Sequence, residues 1–157
     1  MEKTNAMRLL DSRKVPYVTH TFSPEIHSAV EVAHVLNVPE GQVYKTLVVI
    51  RPRGKPLLVI VPGNREIDLR LLAQSVGEKK LRMAAHAEAE ELTGLQVGGI
   101  SALALWNKGF DIYLDKPALD LEQVIVSAGC RGVNLQLRVQ DLIRVIKARV
   151  IEATALP

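Results

Sequence analysis

Lys45 stands inside Val43-Tyr44-Lys45-Thr46-Leu47-Val48-Val49-Ile50, a largely apolar stretch of the chain. If that stretch is a strand, alternation puts Lys45 on one face with Val43, Leu47 and Val49. A lysine so placed is either desolvated or lines a cavity. Desolvated without a partner, its pKa falls and it becomes a proton-transfer group; facing an anion, it keeps its charge and acts as an electrostatic clamp. A lysine snorkelling to solvent from a sheet edge fits the same pattern. A second place is Val97-Gly98-Gly99-Ile100-Ser101. Its glycines allow close backbone approach or positive φ, which leaves amides free for a carbonyl oxygen or a phosphate. A tight turn between two elements would read the same way. The third, Ser127-Ala128-Gly129-Cys130-Arg131-Gly132, displays an arginine between glycines where a plain hairpin loop would also fit.

Stronger catalytic signatures are missing. There is no Gly-x-Ser-x-Gly elbow. Gly94 and Gly99 have Walker-like spacing, but Ile100 and Ser101 follow where Lys and Ser or Thr would grip a terminal phosphate and Mg²⁺. The histidines His20, His27, His34 and His86 form no His-x-x-x-His pair. His27 and His34 lie roughly two helical turns apart, more than one ion bridges, so no metal is expected. Cys130 is the single cysteine, which excludes an intramolecular disulfide framework and a Cys-cluster zinc site. As a nucleophile it would need a lowered pKa and a nearby base, and only Arg131 offers electropositive help; the plainer reading is a turn cysteine.

The elements that must carry these residues follow from periodicity. Thr4 or Asn5 caps a short first helix ending near Lys14, and Tyr17–Phe22 reads as a strand after Pro16. Ser28 with Glu31 gives a capping-box signature for a helix from Ser28 to Leu36. The near-continuous apolar run around Lys45 is what a strand buried on both faces requires, which predicts the centre of a sheet. Arg53-Gly54-Lys55-Pro56 joins it to Leu57–Val61 as a hairpin. Asp68 caps a helix stopping at Gly77, Leu81 and Met83 form a short strand, and His86–Leu92 is a helix stopping at Gly94. Strands are predicted at Phe110–Leu114, Leu121–Ser127 and Val133–Leu137, with a last helix at about Gln140–Arg149.

With 157 residues, 48% hydrophobic and 24% charged, the chain fits one domain, 1–157, of α/β (α+β) class with a substantial mixed sheet. No linker or low-complexity stretch divides it. No apolar run approaches the ~20 residues of a membrane span, and Met1–Asn5 has no apolar stretch of a signal peptide, so a soluble cytoplasmic protein is expected. Lys and Arg total 20 against 17 acidic residues, a formal charge of +3 that permits a nucleic-acid partner. Basic residues cluster at Arg51, Arg53 and Lys55, at Lys79, Lys80 and Arg82, and at Arg144, Lys147 and Arg149. Aromatics are only 4%, too few for a base-stacking platform, so such a partner would be held chiefly through phosphates.

Taken in order, Val43-Tyr44-Lys45-Thr46-Leu47, Asp68-Leu69, Thr93-Gly94 with Val97-Gly98-Gly99-Ile100-Ser101, and Val126-Ser127-Ala128-Gly129 with Arg131-Gly132 resemble the YbaK-type aminoacyl-tRNA deacylases. The resemblance spans roughly residues 5–148 and is nearest to the Cys-tRNA(Pro) deacylases. It implies a single α/β domain with a mixed, partly barrel-like sheet surrounded by helices. It implies hydrolysis of amino acids wrongly esterified to tRNA, without a cofactor or metal. Aminoacyl-tRNA is then the substrate partner, met at its 3′-terminal aminoacyl-adenosine, and prolyl-tRNA synthetase a candidate protein partner.

Carried over residue by residue, the resemblance makes Lys45 the essential catalytic group. It places Phe22, Ser28, Thr46, Gly98, Gly99, Ile100, Ser101, Ser127, Gly129, Arg131 and Gly132 around the substrate. Phe22 keeps the ring of a tyrosine common in cysteine-specific relatives and lacks its hydroxyl. Ser28 stands where the cysteine-specific relatives often have a large aromatic, and Ala102, Cys130 and Asn134 replace a proline, a basic residue and an aspartate common in the family, which bears on amino-acid specificity rather than reaction class. The alternative function is a non-catalytic module binding a tRNA 3′ end, an aminoacyl-adenosine-like ligand or a small amino-acid metabolite. Thiol chemistry at Cys130 is a third, which alkylation would block.

Overall fold

The computed structural model describes residues 2–26 and 28–156. Short strands and one-to-two-turn helices alternate along it: α1 (Asn5–Ser12), β1 (Val18–Thr21), α2 (Ala29–Leu36), β2 (Tyr44–Ile50), β3 (Leu57–Pro62), α3 (Leu69–Val76), β4 (Arg82–Met83) and α4 (His86–Thr93). Then come β5 (Asp111–Asp115), β6 (Gln123–Ser127), β7 (Val133–Arg138), α5 (Val139–Ile146) and β8 (Arg149–Ile151). Helix ends fall where side chains can satisfy backbone groups. The Thr4 hydroxyl accepts the Met7 amide at 3.2 Å, the Asp68 carboxylate accepts that of Leu71 at 3.0 Å, and Ser28 opens α2 in the same manner. Gly77 and Gly94 close α3 and α4 in the left-handed conformation.

Two sheets form. One has the order β1-β7-β6, all antiparallel; the other is mixed, β4-β2-β3-β5-β8, with β3–β5 and β5–β8 parallel. Among the described residues one isolated parallel bridge, Val43 to Ile125, joins them in a partly barrel-like arrangement that is not closed. The main core lies between the sheets, built from Leu58, Ile60 and Leu114 on one side and Val124, Leu135 and Leu137 on the other, closed by α1 and α5. A smaller core packs Val49, Val59, Val61 and Tyr113 under Leu72 of α3. Truncating a fully buried leucine such as Leu58 to alanine would cost about 2–5 kcal/mol. No helix among the described residues is long and apolar enough to cross a membrane.

Two expectations need correcting. The centre of the mixed sheet belongs to β3, every residue of which is buried, and not to the Lys45 strand. β4 covers β2 only at Val49 and Ile50, so the first half of β2 is an open edge. The terminal helix stops three residues early, because Lys147 takes a left-handed conformation with φ 53°. The chain then adds β8 beside β5, and the buried Asp115 carboxylate accepts the Ala153 amide at 2.8 Å and the Thr154 hydroxyl.

Candidate active site

The open edge of β2 forms one wall of a cavity of about 360 Å³, near the lower end of small-molecule sites. Residues 44 to 48 of β2 all line it. The ladder explains why backbone is available here. The Gly63 amide donates to Val43 O from the β3 side, while the Ala84 amide donates to Val48 O from the β4 side. Alternation gives Thr46 the direction of Val48, so its N–H and C=O point to the edge that β4 leaves uncovered.

Lys45 reaches this space half-buried. Its Nζ lies 3.4 Å from Gly63 O, a long hydrogen bond that leaves most of the capacity of a three-donor ammonium unused. Among the described residues that line the cavity there is no Asp or Glu, so the lysine charge meets no carboxylate there. Gly63 is required at its place: a Cβ would fall 2.4 Å from Ala29 Cβ and 2.8 Å from Val43 O. The rest of the wall is mainly apolar, with Ala29 and Val32 from α2 and Met83, Ala84 and Ala89 from the β4–α4 segment. Ser28 and His86 are exposed and line the cavity from the N-terminal ends of α2 and α4. Tyr44, 3% exposed, has its phenol pKa pushed up by desolvation and by the Asp115 carboxylate, so it stays protonated.

The Gly98-Gly99 loop forms the opposite wall. Gly98 has φ +93°, and Gly98, Val97 and Ile100 all line the cavity. Its amides alternate in use. The Leu95 amide donates to Thr93 Oγ1 at 3.2 Å, that of Val97 to Glu90 Oε2 at 2.9 Å, and that of Gly99 to Gln96 O at 2.8 Å. Among the described residues, the amides of Gly98 and Ile100 meet no protein acceptor.

Of the residues named from sequence, Lys45, Ser28, Thr46, Gly98, Ile100 and Ser127 line the cavity. The others are not among its lining residues. Gly99 lets two loops touch, since a Cβ there would lie 2.8 Å from Cys130 C and 2.9 Å from Arg131 N. Arg131 donates from Nε to Val97 O at 2.8 Å. Ser101 is buried, and its hydroxyl accepts the Ala104 amide at 3.2 Å, shaping the following turn. Gly129 donates its amide to Ser127 Oγ at 3.1 Å, and Gly132 carries its carbonyl to the Phe22 amide at 3.0 Å. Phe22 itself packs against the cluster of Val32, Ala33, Val43 and Ile125.

Sequence reasoning missed Gly63 as a partner of Lys45, and the β4–α4 wall. Gly63 was accessible in principle, because extending the hairpin register puts it opposite Val43. Asn134 is 7% exposed and lines the cavity beside Ser127, with which it is paired across β6 and β7. Ala102 is buried in the main core and Cys130 is exposed in its loop. Among the substituted family positions, Ser28 and Asn134 are therefore the ones that line the cavity. His20 bonds Gln136 and His34 bonds Glu40, and His27 lies outside the described residues.

Comparison with known proteins bears on family and fold. The family model described as an aminoacyl-tRNA editing domain matches residues 23–145. A protein of Enterococcus faecalis named "Putative Cys-tRNA(Pro)/Cys-tRNA(Cys) deacylase EbsC" is 37% identical over 155 residues, 98% of this chain and 94% of that protein. The proline–tRNA ligase of Aquifex aeolicus is 31% identical over 83 residues, 53% of this chain and only 15% of the ligase, so the likeness concerns one part of that enzyme. Among solved structures, a hypothetical protein superposes with a TM-score of 0.88 at 23% identity, covering 96% of this chain and 99% of the other. Another, titled "Crystal structure of a putative trans-editing enzyme for prolyl tRNA synthetase", superposes at 0.82 with 24% identity and 99% and 100% coverage; at these identities both show the fold. With the family model covering most of the chain and a near-full-length relative above 30% identity, this chain belongs to the aminoacyl-tRNA editing domain family.

Proposed function

We propose that the protein is a hydrolase acting in trans on mischarged aminoacyl-tRNA, with Cys-tRNA(Pro) the leading substrate, and that Lys45 and the Gly98–Ser101 loop do the work. The family assignment and the name of the Enterococcus relative support the reaction class and the substrate. The single observation that carries the site is that one small cavity is lined by Lys45, on an open strand edge and with no carboxylate among the described lining residues, and by Gly98 and Ile100, whose amides meet no protein acceptor among the described residues.

The reaction splits the ester between the amino acid and the terminal ribose, giving free amino acid and a tRNA with its terminal hydroxyl restored. An aminoacyl ester is already activated, so positioning and oxyanion stabilisation matter more than a protein nucleophile. The amides of Gly98 and Ile100 receive the carbonyl oxygen as negative charge develops on it. Lys45 supplies a fixed cation near the scissile ester or the terminal phosphate. The attacking group is water steered by a ribose hydroxyl, or the thiol of a cysteinyl substrate, which attacks its own carbonyl, expels the ribose oxygen with the thiol proton and leaves a thiolactone that water then opens to the free amino acid; neither route needs a Ser or Cys nucleophile in the cavity. Apolar side chains restrict the aminoacyl group by size, and a methylene is worth only about 1–3 kcal/mol in such a site, so discrimination among small amino acids is modest.

Release of labelled amino acid from Cys-, Ala-, Ser- and Pro-tRNA(Pro) tests this reading. The expected result is rapid release from Cys-tRNA(Pro) and slow release from correctly charged Pro-tRNA(Pro). No release above background from any of them, with folded protein, would reject the hydrolase and favour a module that only binds the aminoacyl end.

A further inference from the structure

Both backbone groups of Val97 are held, and they belong to two successive peptide planes. Its N–H donates to Glu90 Oε2 at 2.9 Å, and its C=O accepts from Arg131 Nε at 2.8 Å. Glu90 is half-buried on the last turn of α4, and Arg131 is half-buried in the loop after β6. The Gly98 amide lies in the plane whose C=O Arg131 holds, Glu90 fixes the plane before it, and the backbone turns at Gly98 with φ +93°, so the two bonds together set the course of the loop. Val97 is committed to Glu90 and Gly99 to Gln96, whereas the cavity-lining Gly98 and Ile100 have amides that meet no protein acceptor among the described residues. A bond to a carboxylate is shorter and stronger than one to a neutral acceptor, so Glu90 is the firmest hold on the N-terminal side of this loop.

We infer that Glu90 is a positioning residue for the deacylation: by accepting the Val97 amide it holds the Gly98-Gly99-Ile100 backbone with two donors facing the substrate. The inference rests on the deacylase reading. Glu90 touches no reacting atom. It acts through Val97, and a positional error of about 1 Å in such a site costs on the order of a hundredfold in rate.

The test compares Glu90→Ala and Glu90→Gln with the wild type in steady-state deacylation of mischarged tRNA, together with melting temperature and hydrogen exchange at the Val97 amide. Glutamine keeps a carbonyl acceptor for the Val97 N–H and loses the charge. Expected are a fall in kcat of about 10- to 100-fold in Glu90→Ala, with KM within about twofold. Recovery to within about threefold of wild type is expected in Glu90→Gln, whose acceptor is retained. Val97 exchange should be fast in the alanine variant and slow in the other two. An alanine variant with wild-type kcat, or a glutamine variant no better than alanine, would overturn the role assigned to Glu90. So would a loss of activity that only tracks a lowered melting temperature. A wild type inert on every charged tRNA would defeat the deacylase reading instead, and the hold on Val97 would then stand or fall on the exchange measurement.

Discussion

Gly99 and Arg131 show how residues with the look of substrate ligands can be parts of a scaffold. The glycine is needed because Cys130 and Arg131 backbone occupies the space of a side chain, at 2.8 and 2.9 Å from where its Cβ would be. Gly99→Ala should therefore push the two loops apart, costing about 1–3 kcal/mol of stability by overpacking and lowering kcat more than KM; thermal melting and steady-state deacylation check both. A Gly99→Ala protein with unchanged melting and kcat would refute the close approach. Sequence could mark these residues, since glycines flanking an arginine are legible, but not their roles. Whether a glycine is present for a ligand or for another loop depends on contacts across more than thirty residues of chain, as in the Arg131–Val97 bond. Lys45 was legible for a simpler reason: a charge in an apolar strand has to be explained locally.

The elements were mostly readable, because caps and stops are local chemistry: Thr4, Ser28, Asp68, Gly77 and Gly94 all act where the sequence places them. The open edge of β2 was not, because apolar continuity reports burial and says nothing about how far a neighbouring strand extends. Nor was β8, whose three residues carry too little period to show and whose place is fixed by pairing with β5. One element makes its own prediction. The β4–α4 wall of the cavity is latched by Glu88, whose carboxylate pairs with both Nη atoms of Arg82 at 2.8 and 2.9 Å and accepts the Ala85 amide at 3.2 Å. Arg82 chiefly, then the Ala85 amide, hold the Glu88 pKa at about 2 instead of 4.5. A depressed acid stabilises the folded state above its ordinary pKa and loses that effect as pH falls. The melting-temperature difference between wild type and Glu88→Gln should be constant above about pH 4.5 and vanish as pH approaches 2, remaining small because the pair is exposed. A difference that persists unchanged at pH 2 would contradict the latch.

At the scale of the whole molecule, folding brings together two basic clusters that are separate in sequence. Arg82 pairs with Ile50, so Lys79 and Lys80 enter β4 beside the β2–β3 hairpin that carries Arg51, Arg53 and Lys55. Arg51 is matched by Asp111 and Arg82 by Glu88, whereas Arg53, Lys79 and Lys80 form no ion pair among the described residues. Neutralising Arg53, Lys79 and Lys80 together should raise KM for charged tRNA several-fold, leave kcat near wild type and flatten the fall of affinity with salt, as expected for phosphate contacts. Unchanged KM and salt dependence would remove this end of the molecule from the tRNA path. Within 157 residues, one strand edge and one loop line the cavity, and the formal net charge is +3.

The central claim is that Lys45 works as a cation in the cavity and is not part of the fold's support. Its long hydrogen bond to Gly63 O is weak enough that alanine should leave the domain intact. The decisive measurement is single-turnover hydrolysis of Cys-tRNA(Pro) by wild type and Lys45→Ala, with melting temperatures recorded on the same preparations. The expected result is a rate lowered by at least about 100-fold with melting shifted by no more than a few degrees. A folded Lys45→Ala protein that hydrolyses the ester within about threefold of the wild-type rate would contradict it.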